Sequence, residues 1–138
     1  TGLLALADHG SDVKMHMGGA VPIAAGWSRA RVDEADCLAV AVVGDTNLPH
    51  SEWLGLIDAI HHSDDLLVVI ADNGSSEMTQ HIVTPRLKPE PARASLEAAG
   101  LPCATSTLTA EGDPDQRWIE VLAELAHARG PRLLWLAF

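Results

Sequence analysis

Two short polar stretches, Gly44-Asp45-Thr46 and Asp72-Asn73-Gly74, each close an apolar run. Asp45 and Asn73 stand 28 positions apart, with one helical pattern between them. A carboxylate and an amide carbonyl are both hard oxygen donors. Brought together, they suit Mg2+ or Ca2+, with phosphate completing the coordination shell. Gly44 lets the backbone approach a bulky group closely. Asp45-Thr46-Asn47 leads toward a helix, and a helix N-terminus offers amides and a positive dipole end to an anion. Gly74-Ser75-Ser76 permits an unusual turn that can present a carbonyl as a third ligand. The pattern describes a clamp for a metal-bound diphosphate. Asp, Asn and Gly after strands are also ordinary turn formers and helix caps, and spacing alone leaves both readings open.

The clamp needs its two strand ends at one edge of a sheet. Cys37 to Val43, Leu66 to Ala71 and Arg132 to Phe138 are continuous apolar runs, as expected of strands covered on both faces of a parallel sheet. Cys103 to Thr109 is a weaker strand candidate, and residues near Val13 to Met17 suit a short edge element. Helical patterns lie between them. Gly19 to Arg31 carries Pro22 in its first turn. Ser51 to His62 places Trp53, Leu54, Leu56, Ile57 and Ile60 at helical spacing, with Ser51 as N-cap. Pro91 to Gly100 ends on a glycine, and Pro114 to Arg129 presents Trp118, Val121, Leu122 and Leu125 before Gly130-Pro131. Gln80 to Glu90 is a loop. Alternating strands and helices predict a three-layer α/β/α domain with a mostly parallel sheet and right-handed crossovers. In such folds the ligand sits at the carboxyl ends of the strands, where Asp45 and Asn73 both emerge.

The 138 residues suit one domain spanning 1–138. Hydrophobic residues make up 47% and charged residues 20%, which is enough to bury a core. Nine Lys and Arg against nineteen Asp and Glu give a net charge of −10. That opposes broad contact with nucleic acid or an anionic membrane, so an anionic ligand needs backbone amides or a metal ion. The apolar runs are shorter than the roughly 20 residues of a membrane span. Cys37 and Cys103 form no metal-binding pattern and read as small core residues, which suits a reducing cytoplasm. The chain begins at Thr1 with no initiator Met, inside a segment that reads as structured, as a fragment, a processed product or an excised domain would.

The stretch GDTNLPHSEWLGLIDAIHHSDDLLVVIADNGSSEMTQH resembles the diphosphate-binding segment of thiamine-diphosphate enzymes, whose motif runs from GDG to an Asn-rich turn. It is more closely similar to indolepyruvate ferredoxin oxidoreductase, at Gly44, Asp45, His50, Ser51, Leu56, Ile57, Ala59, Asp72, Asn73, Met78, Thr79 and His81. Met17-Gly18-Gly19-Ala20 through Gly26 resembles that family's Met-Gly-Ala segment. The likeness covers most of residues 12 to 85; beyond Pro85 only the architecture agrees. It implies the thiamine-diphosphate-binding fold, with Mg2+ held by Asp45, the Asn73 side-chain oxygen and the Ser75 carbonyl. Gly44, Thr46 and Gly74 would shape the diphosphate pocket, Gly18 and Gly19 would line the cofactor, and Met78 and Thr79 would lie near the thiazolium. Thr46 departs from the general glycine, and Glu77 and Gln80 depart from the closer family's small residues. These changes bear on loop conformation and the substrate pocket more than on the metal.

The resemblance implies part of a 2-oxo acid oxidoreductase performing oxidative decarboxylation. It also implies a pyrimidine-binding domain or subunit as partner, ferredoxin as a possible acceptor, and any iron–sulfur cluster on a partner or another domain. Two alternatives stand beside it: a non-redox sulfopyruvate or phosphonopyruvate decarboxylase-like enzyme, and a non-catalytic scaffold keeping the fold, which Glu77 and Gln80 motivate. His50 could hydrogen-bond the diphosphate or a substrate carboxylate, or simply cap a helix. His16, beside the glycines, could face the cofactor. His61-His62 suit a helix C-terminus rather than a metal. Asp8-His9 with Ser11 lacks a nucleophile elbow, and no G-x-G-x-x-G follows a strand. The four tryptophans read as core or interface residues.

Overall fold

A computed structural model describes residues 3–6, 11–14, 18–31, 38–73, 89–107 and 117–137. Its elements run β1 (Leu3–Leu6), β2 (Ser11–Lys14), α1 (Ala20–Ala30), β3 (Ala39–Gly44), α2 (Trp53–His62), β4 (Leu66–Asp72), α3 (Pro89–Ala98), β5 (Cys103–Thr107), α4 (Arg117–His127) and β6 (Arg132–Ala137). The sheet order is β2-β1-β3-β4-β6-β5. Strands β3, β4, β6 and β5 are parallel, while β1 pairs antiparallel with both β2 and β3. The mostly parallel α/β sheet is therefore as expected. The edge element expected near Val13 to Met17 is the outer strand of a two-stranded antiparallel ribbon, Ser11–Lys14, and residues 15–17 lie outside the described ones. Runs of four residues carry too little periodicity to announce themselves in sequence.

Right-handed crossovers assign the helices to faces. The chain moves one way along the sheet through α2 and α3, then reverses through α4, so α4 takes the opposite face. Packing agrees. Val21 and Ala24 of α1, Leu56 and Ala59 of α2, and Ala92 and Leu96 of α3 share one core with Ala41, Val43, Val68, Ile70, Leu133 and Trp135. Helix α4 lies against β5 and β6. Strand β3 consequently alternates, with Ala39, Ala41 and Val43 buried and Val40 and Val42 half-buried. Its second face is less covered by the described residues than a continuous apolar run suggests. Val121, Leu122 and Leu125 of α4 are likewise half-buried, and the Trp118 side chain lies outside the described residues.

Helix α2 corrects two expectations. Leu56 is buried and Trp53 and Ile60 are half-buried, but Leu54 and Ile57 are exposed, at 70% and 40%. Five large apolar residues span too wide an arc for one face, and the inner face is taken by Gly55, Leu56 and Ala59. Small residues there let α1 approach: a Cβ on Gly55 would lie 2.8 Å from Cδ of Pro22. Ser51 is not the N-cap. The chain enters a 3-10 turn at Asp45–Asn47, then a wide π-type turn at Leu48–Glu52 that runs straight into α2. Pro49 has no N–H for the ladder, and its ring crowds the carbonyl four residues back, which favours a widened turn.

At the amino edge of the sheet, charged side chains fasten the elements. Arg29 Nε donates to Asp64 Oδ1 at 2.8 Å, and Arg29 also pairs with Asp58. Buried Arg132 donates to the Leu125 carbonyl at 2.5 Å and pairs with Asp65, which Arg129 also reaches at 2.9 Å. Burial pushes the Asp65 carboxyl up, but Arg132 and Arg129 outweigh it and hold it below the usual range. The C-terminal end of α1 therefore lies at this edge, and its N-terminus at the opposite, carboxyl edge.

Candidate diphosphate site at the carboxyl edge of the sheet

Strand β3 ends at Gly44 and β4 at Asp72, and their parallel register sets Gly44 beside Ala71. Asp45 and Asn73, the next residues of each chain segment, thus leave the same edge of adjacent strands. Asp45 is buried, at 3% exposure, and Asn73 is exposed. The helical run that follows begins at Asp45 itself, with Gly44 in the cap position seven residues before Ser51. Its first turn, Asp45–Asn47, is the one whose amides have no intrahelical partner by construction. These amides belong to the edge where the strand ends meet.

Two observations bear on whether a phosphate fits. Asn47 is 2% exposed, and its Nδ2 is a buried donor with no hydrogen-bond partner among the described residues. Such a group costs about 1–3 kcal/mol unless an acceptor reaches it, and a phosphate oxygen is a suitable acceptor. Gly44 has an ordinary extended backbone, φ −75°, and a Cβ there would meet nothing within 4 Å. Neither strain nor crowding by the described residues calls for glycine, and among them the space beside it is open. Among the described residues no group of three or more His, Cys, Asp or Glu side chains is placed to hold a metal ion by itself. A metal here would rest on a mixed set of carboxylate, amide and backbone oxygens, the set suited to a hard cation.

Gly18 and Gly19 precede α1, and both are buried. Gly18 has φ +90°, in the left-handed region that favours glycine. This turn sits beside the Asp45 helical run, because the Ala20 N–H donates to Glu52 Oε1 at 3.1 Å and the Val21 N–H to Glu52 Oε2 at 2.7 Å. The structure thus gathers Gly18, Gly19, Gly44, Asp45, Thr46 and Asn73 around one edge. Gly74, Ser75, Met78 and Thr79 lie outside the described residues, as do His9, His16, Glu77, Gln80 and Cys37. His50 falls in the widened turn, and its side chain lies outside the described residues. His61 and His62 close α2 at the far, amino edge, with His62 Nδ1 2.9 Å from the Asp58 carbonyl.

Sequence reasoning missed the partners of three buried polar groups. Glu52 is fully buried against α1. Trp135 Nε1 donates to Asp72 Oδ2 at 3.0 Å, fixing the residue just before Asn73. Arg132 is 1% exposed. A charged residue opening an apolar run was the available signal for Arg132; Glu52 and Trp135 offered none, since their partners are 31 to 63 positions away.

Residues 6–133 match the sequence family described as thiamine pyrophosphate enzyme, C-terminal TPP binding domain. No curated protein sequence matches the chain. Among solved structures, the chain is similar to an X-ray structure from Mycobacterium smegmatis, described as that of a candidate thiamin diphosphate-dependent enzyme. The two share 21% identity and a TM-score of 0.70, over 88% of this chain and 22% of the other. The likeness establishes the fold, and the chain spans about a fifth of that protein's length.

Proposed function

Since the chain belongs to the family of C-terminal TPP-binding domains of thiamine pyrophosphate enzymes, we propose that its carboxyl-edge site holds thiamine diphosphate through Mg2+ for decarboxylation of a 2-oxo acid. The observation that carries this is the buried Asp45 carboxylate at the end of β3, next to the end of β4. Asp45 and the Asn73 amide oxygen would hold the cation, with the Ser75 carbonyl as third protein donor. The cation answers the charge problem: a buried carboxylate and a diphosphate repel each other without one. Asn47 Nδ2 and the first-turn amides would donate to the phosphates, with Gly44, Thr46 and Gly74 shaping their pocket. Gly18 and Gly19 would line the cofactor, Met78 and Thr79 would lie toward the thiazolium, and His50 is the candidate to bind the diphosphate or substrate carboxylate. When bound, thiamine diphosphate supplies a nucleophilic carbon for the keto group and a sink for the electrons left by decarboxylation.

The closer of the two motif likenesses favours the oxidoreductase branch, resembling indolepyruvate ferredoxin oxidoreductase. On that reading the chain is one domain of a larger cytoplasmic enzyme, and a pyrimidine-binding domain or subunit completes the cofactor site. Iron–sulfur clusters on a partner or another domain would pass electrons to ferredoxin.

Calorimetry with thiamine diphosphate and Mg2+ on the complete assembly tests the reading. Binding that requires Mg2+ is expected, and Asp45→Ala should weaken it by more than about 100-fold. Losing only a group behind a metal ligand already costs about 10–100-fold. Binding unaffected by Asp45→Ala would show that the metal is misassigned, and no binding at millimolar ligand would favour a scaffold. An active assembly without iron or acid-labile sulfide would instead point to the non-redox decarboxylase.

A further inference from the structure

The N-terminus of α1 is closed. A helix leaves its first amides without intrahelical acceptors, and these form an anion site where they face a ligand. Here the Ala20 and Val21 amides both donate to the Glu52 carboxylate, one to each oxygen. The third helical residue, Pro22, has no N–H. The Ile23 amide donates to the Gly19 carbonyl at 3.2 Å. Glu52 is fully buried and comes from the widened turn that continues directly from Asp45–Asn47. One turn further along, Gly55 admits the Pro22 ring, so the same helical run grips the start of α1 twice.

We infer that Glu52 is a positioning residue of the cofactor site, acting in two ways. Its carboxylate fills the anion position of α1, which confines phosphate to the Gly44–Asn47 turn. It also locks the Gly18-Gly19 turn, whose left-handed Gly18 precedes these two amides, at a set place beside that turn. This inference rests on the cofactor reading for its ligand, although the closure of α1 stands without it. Glu52→Gln is the informative change, because an amide offers one oxygen where two donors converge, and its NH2 meets an N–H.

The test is amide hydrogen exchange on the complete assembly, resolved over residues 18–23 and 44–48, without ligand and with Mg2+ plus pyrophosphate or thiamine diphosphate. In the unaltered protein, ligand should slow exchange at 44–48 and leave the protected Ala20 and Val21 amides unchanged. In Glu52→Gln, exchange at Ala20 or Val21 should quicken about tenfold before ligand is added, in line with one lost hydrogen bond. Pyrophosphate should then slow exchange at those same amides, a response that loss of packing alone would not produce. Glu52→Asp, which keeps two oxygens on a shorter arm, should fall between.

Ligand protection at Ala20 and Val21 in the unaltered protein would overturn the inference, and this arm depends on no variant folding. Unchanged apo exchange in Glu52→Gln would overturn it as well. An unaltered protein that binds neither ligand overturns the cofactor reading and the phosphate-confining role with it, while the apo comparison still decides whether Glu52 closes α1.

Discussion

Trp135→Phe tests how the sheet holds the strand end that carries Asn73. The indole is 2% exposed, Asp72 is 6% exposed, and they are joined by a 3.0 Å hydrogen bond from β6 to β4. Phenylalanine keeps an aromatic ring in the core but removes the donor. A hydrogen bond to a charged group contributes about 1.5–3 kcal/mol, and the space left by the smaller ring adds roughly 1 kcal/mol. The expected loss is therefore about 3 kcal/mol. With a urea m-value of about 2 kcal/mol/M, the midpoint should fall by about 1.5 M. Far-UV circular dichroism is the proper signal, because the substitution removes a fluorophore. Adding Asp72→Asn separates the two contributions: the pair should show a coupling of about 1 kcal/mol or more. A midpoint within about 0.3 M of the parent, or strictly additive effects, would refute the claim that this bond holds the end of β4.

Other perturbations reach different parts of the argument. Gly55→Ala forces a methyl to 2.8 Å from the Pro22 ring and should cost about 1–3 kcal/mol in denaturant unfolding; a neutral result would mean that α1 and α2 are not in close contact. Arg132→Met leaves Asp65 with Arg129 alone and strips the Leu125 and Ala126 carbonyls of a donor, so a loss of about 3 kcal/mol is expected, and a loss under about 1 kcal/mol would contradict it. Because native Asp65 sits below the usual carboxylate range, its contribution is complete above the unfolded value of about 4 and disappears as pH falls through the native one. Acid titration of stability should show that limb, flattened in Arg132→Met. Burial pushes the Cys103 thiol up to about 11, so alkylation at pH 8 should run on the order of a hundredfold slower than for a free cysteine. Holding that thiol neutral stabilises the fold below pH 9 and ceases to do so as pH rises toward 11; rapid labelling of the folded protein at Cys103 would contradict this.

The amino-acid sequence by itself determined the alternation of strand and helix. Apolar runs such as Leu66 to Ala71 and the helical spacing after Pro91 are local patterns, and local patterns survive without coordinates. It also determined that Asp45 and Asn73 emerge on one side of the molecule: strands one crossover apart run parallel, and each residue follows its run directly. Other features belong to the tertiary structure. Whether Leu54 or Leu56 faces the core depends on where α1 packs, which the period of one helix does not state. The helical run begins at Asp45 instead of Ser51 through 3-10 and π-type turns, neither of which follows the 3.6-residue spacing that marks a helix. Glu52, Trp135 and Arg132 are polar residues whose burial is tolerable only because α1, Asp72 and Asp65 stand opposite them. Those partners come from distant parts of the chain, and only the folded topology brings them within hydrogen-bonding range.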